Sequence, residues 1–311
     1  MILAPRRLLA IWLLCCCACL AHAASVVIVL ADVSAPYVEA ADAVTGQLQQ
    51  AGVAPSEIVR LGASELAGLG AAELASTKVW LALGTESLRQ TLAKGARSPV
   101  LAAMLPRAAY QRVLLERGDG VTVPTTALYL DQPFARQLSL LHLALPDARR
   151  VGVLWGEESK ALQPGLQAAA SAHALELSSA VVANDAALFG TLKSVLERCD
   201  VLLAVPDSHV FNGATLPNIL LTTYRTQIPV LAFSPAYVKA GALLSLHSTA
   251  AQVGRQAGAL ALSVLQGAGV PPAQYPAEFS VTVNTHVARS LGLHLDATAL
   301  EQRLRALEQR P

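Results

Sequence analysis

Aromatic residues are scarce in this chain, 5% of 311 positions, against an apolar fraction of 53%. Its core must therefore be built from Ala, Leu and Val, and that apolar content excludes a disordered polypeptide. A charge excess of one sign is also missing. The formal charge is +1 and no basic run occurs, so there is no electrostatic footprint for nucleic acid or an anionic membrane surface. Beyond residue 24 no apolar run approaches the roughly 20 residues that a membrane helix needs. Cysteine is scarce where it would matter: Cys15, Cys16, Cys17 and Cys19 crowd the amino terminus and leave Cys199 alone in the remaining chain. No disulfide can form within that remainder, and Cys199 reads as a small buried apolar side chain.

Catalytic signatures are missing as well. The sequence has no Walker-type phosphate loop, no Gly-x-Ser-x-Gly elbow and no His-Glu-x-x-His. Gly68-Leu69-Gly70 resembles the opening of a dinucleotide fingerprint, but Glu73 stands at its sixth position and no clear strand precedes it. His142, His173, His209, His247, His286 and His294 are scattered without ligand spacing. No metal, cofactor or enzymatic activity is expected.

What is present begins with an export signal. Arg6-Arg7 precede an apolar stretch from Leu8 to Leu20, followed by Ala21-His22-Ala23, which predicts cleavage near Ala23 and a periplasmic mature protein. Lipid attachment is the alternative raised by the cysteine run. A lipoprotein signal wants an aliphatic residue three before the modified cysteine, and Cys19 has Cys16 there.

The mature chain repeats one grammar: a short continuous apolar run, a polar turn, then a helical spacer. Such runs start at Ser25, Lys78, Ser98, Val151, Val201, Ile228 and Gly241, with a weaker one around Ile58 to Leu61 and an alternating one from Phe279 to Asn284. Unbroken apolar runs joined by helices predict parallel strands covered on both faces. Ser34 is expected to cap a helix over Ala35 to Ala51, and Thr249 with Gln252 forms a capping box for another. The Gly-, Pro- and Thr-rich stretch from Arg117 to Thr126 reads as a crossing between domains.

In open parallel sheets, ligands bind beyond the carboxyl ends of the strands. The polar groups there are Asp32, Ser34, Thr85, Glu86, Ser87, Glu157, Ser159, Asp207, Ser208, Ser234, Ser245 and His247. Acids outnumber bases among them, which favours a ligand with a donor or cationic group. Tyr37, Trp155 and Tyr237 are candidates for aromatic contact.

Leu145-Pro146-Asp147-Ala148-Arg149-Arg150-Val151-Gly152-Val153-Leu154, the strand and turn from Val201 to Ser208, and Ile228-Pro229-Val230 through Leu243 together resemble the periplasmic solute-binding proteins of ABC importers. The branch is the type I family that includes tryptophan and tyrosine binders. Val283-Asn284-Thr285 and Leu291-Gly292-Leu293 resemble its closing segment, and Gly84-Thr85 its Gly-Thr turn. The resemblance implies an α/β fold of two doubly wound parallel-sheet lobes joined by a three-crossing hinge. The lobes are expected at residues 24–127 plus 245–275 and 128–244 plus 276–311. By position it carries over Thr85 and Ser234 as cleft hydroxyls and Asp207 as a cleft acid; Tyr37, Trp155 and Ser245 complete the expected ligand-binding set. Two departures stand out. Leu105-Pro106-Arg107 replaces an Asp-Pro turn, and Val123-Pro124-Thr125-Thr126 replaces a Gly-rich one.

The function expected is capture of a small polar or amphipathic, amino-acid-like molecule by a monomeric exported protein that presents it to an ABC permease. One alternative is an accessory or sensory protein acting on a receptor or sensor kinase, and another is a two-lobed hydrolase or glycosyltransferase.

Overall fold

The computed structural model of the protein describes residues 25–309; the export segment read at residues 1–23 lies outside them. The apolar runs become the strands of two sheets. β1 (Val26–Leu30), β2 (Ile58–Gly62), β3 (Val79–Leu83), β4 (Val100–Leu105) and β5 (Thr125–Tyr129) pair in parallel in the order β2-β1-β3-β4-β5. β6 (Arg150–Trp155), β7 (Glu176–Val181), β8 (Val201–Leu203), β9 (Val230–Ala232), β10 (Leu244–His247) and β11 (Ser280–Val283) form the second sheet in the order β11-β10-β9-β8-β6-β7. Only β11 runs antiparallel, at that sheet's edge.

Helices cover both faces of both sheets. α1 (Ala35–Gln50), α2 (Ala71–Ser76), α3 (Thr85–Lys94) and α4 (Arg107–Arg117) belong with the first. α5 (Phe134–Ala144), α6 (Gln163–Ala172), α7 (Leu188–Leu196), α8 (Leu216–Arg225) and α9 (Pro235–Ala240) belong with the second. α10 (Ala250–Leu265) returns to the first sheet, and α11 (Thr285–Ser290) and α12 (Ala297–Glu308) finish on the second. Alternation along each strand sorts side chains between two cores. Val26 and Ile28 pack in the cluster that holds α1 and α10, whereas Val27 and Val29 join Trp80, Leu88 and Tyr110 on the other face. Val151, Val153 and Trp155 likewise pack with Leu138 and Leu166, and Leu154 with Leu192 and Ile219. Among the described residues no helix is long and apolar enough to cross a membrane.

α10 lies directly against α1. A Cβ at Gly254 would sit 2.3 Å from the Ala40 carbonyl oxygen and 2.7 Å from Ala43 Cβ, and one at Gly258 would sit 2.9 Å from Gln47 Cβ. Only glycine allows this approach, which ties the returning helix to the first lobe.

Two expected boundaries move. Thr125 and Thr126, read as part of a crossing, lie in β5, whose main chain pairs with β4 and completes the first sheet. Residues 245–247, expected in the first lobe, lie in β10 and pair with β9 and β11 of the second. The chain therefore crosses at residues 130–133, at 248–249 and near 275–278, and one hydrogen-bond network links all three crossings. Gln132 Nε2 donates to Ser248 Oγ (2.9 Å), Ser248 Oγ donates to the Glu278 carbonyl (2.6 Å), and Arg136 donates to Gln132 Oε1 (2.7 Å) and the Pro276 carbonyl (2.8 Å). Arg136 is buried and stacks on the Phe279 ring.

Candidate functional site

Between the lobes, where the carboxyl ends of both sets of strands face each other, lies a cleft of about 500 Å³. Each wall is the continuation of a strand: Pro36 and Glu39 follow β1, Met104 and Pro106 mark the end of β4, and Leu130 and Asp131 follow β5. From the second lobe come Pro206 after β8, Phe233, Ser234 and Pro235 after β9, and His247 at the end of β10; Ser248 and Thr249 of the crossing and Ala250 at the start of α10 complete the lining. Most of this lining is apolar, with a few convergent polar groups, the usual composition of a small-molecule site. A concavity of similar size, about 520 Å³, is lined by Leu145, Pro146, Asp147, Asp200, Gln227 and Pro229. It opens at the amino ends of β6, β8 and β9, the side of such a sheet where ligands are not bound.

Local backbone geometry shapes the cleft. Met104 has φ of +59°, and the β4–β5 register shifts between Ala102 and Leu105. A side chain rarely adopts this left-handed conformation; here it accompanies a break in strand pairing and a Met that lines the cleft. Gly84, with φ of +107°, ends β3 where a Cβ would lie 2.7 Å from Ala31 Cβ and 3.0 Å from the Tyr37 ring. This close approach seats Tyr37 against the Gly84-Thr85 turn.

The titratable groups in the lining are Glu39, Asp131 and His247. Burial raises the Asp131 carboxyl above its ordinary pKa, a shift only partly opposed by the Arg107 main-chain N–H, which donates to Oδ2 at 2.5 Å. The Arg107 guanidinium donates to Tyr275 Oη at 2.9 Å. Neither Glu39 nor Asp131 forms an ion pair among the described residues. His247 is only 9% exposed. Burial lowers its pKa and favours the neutral ring, outweighing the opposite influence of Glu301. Its Nδ1 is 3.2 Å from Ser245 Oγ, and Nε2 has no hydrogen-bond partner among the described residues.

Of the residues expected from sequence, Ser234 lines the cleft, where its Oγ accepts the Ala236 N–H and caps α9. Thr85 and Tyr37 stand beside the cleft, outside its lining. Trp155 is fully buried among Val151, Val153 and Leu166, and Ser245 is fully buried behind His247, so neither has surface to offer a ligand in this arrangement. Asp207 is buried beneath the rim. Its Oδ2 accepts the Ser159 N–H and Oγ–H, both at 2.8 Å, and Oδ1 accepts the His209 N–H at 2.9 Å. A Cβ on Gly156 would fall 2.3 Å from this carboxylate, so Asp207 packs under the loop after β6 and fastens it to the end of β8.

Glu158, on that loop, reaches across to the first lobe. Its Oε1 lies 2.5 Å from Arg112 Nη1 of α4, and Oε2 accepts the Ser208 N–H at 3.0 Å. Burial pulls its pKa upward, and the Ser208 and Arg112 bonds outweigh that to hold it below the ordinary range. Glu158, Asp207 and His209 come close enough together to suggest a metal centre. Their carboxylates are already committed to protein donors, and Arg112 supplies the positive charge. Tyr237, another aromatic candidate, packs with Phe211 and Phe233 behind the cleft wall and donates to the Phe211 carbonyl.

Sequence reasoning passed over Glu39, Met104, Phe233 and Asp131 as cleft residues. Asp131 carries no strand-end signal in the sequence, because β5 just before it opens with Thr125-Thr126 instead of an unbroken apolar run.

Solved structures share this two-lobed arrangement. The ligand-free, open structure of CD0873, a substrate binding protein with adhesive properties from Clostridium difficile, aligns with a TM-score of 0.68 at 17% identity, covering 88% of this chain and 96% of that one. A conserved domain protein from Vibrio cholerae aligns at 0.61 and 17%, covering 89% and 97%. An ABC domain in complex with L-Trp from Streptococcus pneumoniae aligns at 0.59 and 16%, covering 88% and 97%. At such identities the likeness speaks for the fold alone. No curated protein matches in sequence. The family described as ABC transporter substrate binding protein matches residues 124–304, more than half the chain and the stretch that includes the whole second sheet, and it is to this family that the protein belongs.

Proposed function

We propose that this protein is an exported binding protein that captures a small amphipathic, amino-acid-like molecule between its lobes, closes on it by hinge motion and delivers it to the permease of an ABC importer. The observation that carries the reading is the cleft itself: about 500 Å³, chiefly apolar, with Ser234, His247, Asp131 and Glu39 converging on it from both lobes. Family membership supports the transport role, and the bound L-Trp of the Streptococcus pneumoniae structure supports a ligand of this size and character. Export rests on the charged, apolar and small-residue pattern of residues 1–23.

The cleft can hold such a ligand without covalent chemistry. A micromolar complex requires about 8 kcal/mol. Burying a ligand's apolar body supplies about 25 cal/mol per Å², and a charge-assisted hydrogen bond adds about 1.5–3 kcal/mol, from which the costs of association are subtracted. Isothermal calorimetry and thermal shift against amino acids, biogenic amines and monosaccharides test the reading. A ligand present at 100 times its Kd is expected to stabilise the protein by about 2.7 kcal/mol. If no compound in the panel moves the melting temperature or releases heat, the proposal fails.

A further inference from the structure

Resting on the binding function just proposed, we infer that the obligatory feature of the ligand is a protonated amine, recognised by Asp131 with Glu39, on an apolar body; a carboxylate is dispensable. Charge in the cleft is one-sided. The lining holds two carboxylates and no Lys or Arg side chain, and neither carboxylate is ion-paired among the described residues. Arg107 contributes its main-chain N–H to the Asp131 carboxylate, its guanidinium bonds the Tyr275 hydroxyl, and its charge favours the ionised Asp131 without forming an ion pair with it. Asp131, partly buried, has a main-chain donor but no ion pair among the described residues, and Glu39 at the exposed rim has none either; a carboxylate withdrawn from water gains from a positive partner.

Anion-binding donors in the lining itself are correspondingly few. Helix amino termini ordinarily present free N–H groups to a ligand carboxylate. Here Pro36 occupies the first turn of α1, Pro106 the cap of α4 and Pro235 the first position of α9, and each removes a donor. Two helix starts differ: at α10 Thr249 and Gln252 satisfy one another and the N–H groups of Ala250 and Ala251 remain, and α3, beside the cleft but outside its lining, begins without proline or a side-chain cap. The unpartnered Nε2 of His247, on a ring nine-tenths buried at the cleft wall, independently marks a place for a neutral hydrogen-bonding atom of the ligand. The apolar body then rests on Met104, Leu130 and Phe233.

The experiment is calorimetry of the mature protein with matched triplets: phenethylamine, L-phenylalanine and 3-phenylpropionate; isoamylamine, L-leucine and 4-methylpentanoate. The amine and the amino acid of at least one triplet are expected to bind within tenfold of each other, and the acid about 10- to 100-fold more weakly than the amine, the weight of a charge-assisted contact. Asp131→Asn should erase that preference, with Glu39→Gln as the second variant should the first fail to fold. Binding of an acid within tenfold of its amine, or an amino acid that binds while its amine does not, overturns the inference and leaves the binding function standing. Failure of all six compounds overturns the inference; failure of the wider panel as well removes the binding function with it.

Discussion

The Arg112–Glu158 pair makes the lobe arrangement open to a quantitative test. It joins α4 of one lobe to the loop after β6 of the other at 2.5 Å, with side-chain exposures of 40% and 20%. Glu116, 3.8 Å from Arg112 Nε, steadies the guanidinium from its own helix, and the Ser208 N–H steadies Glu158 from the other side. Coulomb attraction between unit charges about 4 Å apart near a protein surface amounts to about 4 kcal/mol. Most of this is lost to desolvation and side-chain ordering, and measured exposed pairs retain about 0.2–1 kcal/mol. The half-buried, doubly bonded Glu158 belongs near the top of that range, so the pair is expected to favour joined lobes by about 1 kcal/mol, a factor of about five in their population. Glu158→Gln keeps an acceptor for Ser208 and removes the charge. Its ligand Kd should rise about two- to fivefold at low salt and match the wild type in 0.5 M salt, where the Debye length is only a few ångströms. A double-mutant cycle with Arg112→Ala isolates the coupling, and small-angle scattering reads lobe separation. Because the folded-state pKa of Glu158 is lowered, the contribution is present at neutral pH and lost as pH falls through that lowered value. A cycle with no coupling at low salt, together with an unchanged radius of gyration, would refute the reasoning.

Two further outcomes concern stability. Gly254→Ala should destabilise the protein, since the new methyl meets the Ala40 carbonyl at 2.3 Å; overpacking costs about 1–3 kcal/mol, of which about 0.5–1 kcal/mol returns as helix propensity. Gly46→Ala on α1, where a Cβ meets nothing within 4 Å, should be neutral or mildly stabilising, and equal melting temperatures for the two variants would contradict the packing. Asp200 accepts the main-chain N–H groups of Arg149 and Arg150 and pairs with the Arg150 guanidinium; that side-chain bond leads in lowering its pKa to about 2. Its stabilisation is therefore complete above the ordinary carboxylate range and lost between roughly pH 4 and 2. Acid titration should show Asp200→Asn closing its stability gap to the wild type over that window.

The fold was legible in the sequence because a doubly wound sheet buries both faces of its strands and writes them as unbroken apolar runs. β5 and β7 escaped for the complementary reason: Thr125-Thr126 and Ser178-Ser179 put hydroxyls into strands that close their sheets at an edge. The site was harder to read because it depends on where each strand ends. Reading the last strand of the second parallel set as Gly241 to Leu246 put Ser245 near its rim. The observed strand runs to His247, which makes Ser245 interior and brings His247 and Ser248 to the cleft. Trp155 shows the same dependence. It is the final residue of β6, but it shares a face with Val151 and Val153, and its ring turns inward with theirs. Met104 carried no local signal, since its left-handed backbone follows from a register shift against β5 that only pairing creates.

The placement of the cleft residues suggests how binding and lobe movement are joined. Asp131 precedes Gln132 on one crossing and Ser248 lies on another; both Asp131 and Ser248 line the cleft, while Gln132 and Ser248 bond each other and, through Glu278 and Arg136, the third. On the proposed function, a ligand held by Asp131 would pull on the first link of the network that joins the three crossings. Differential affinity for two arrangements is all that a ligand needs to shift their balance. Of the lining groups, those at the crossings would feel lobe rotation as torsion, whereas Glu39 and Phe233, out on the separate lobes, would feel it as distance. Contacts of the second kind form only when the lobes approach. If the lobes close as proposed, recognition of an amine by Asp131 would precede closure and the apolar grip of Phe233 would follow it.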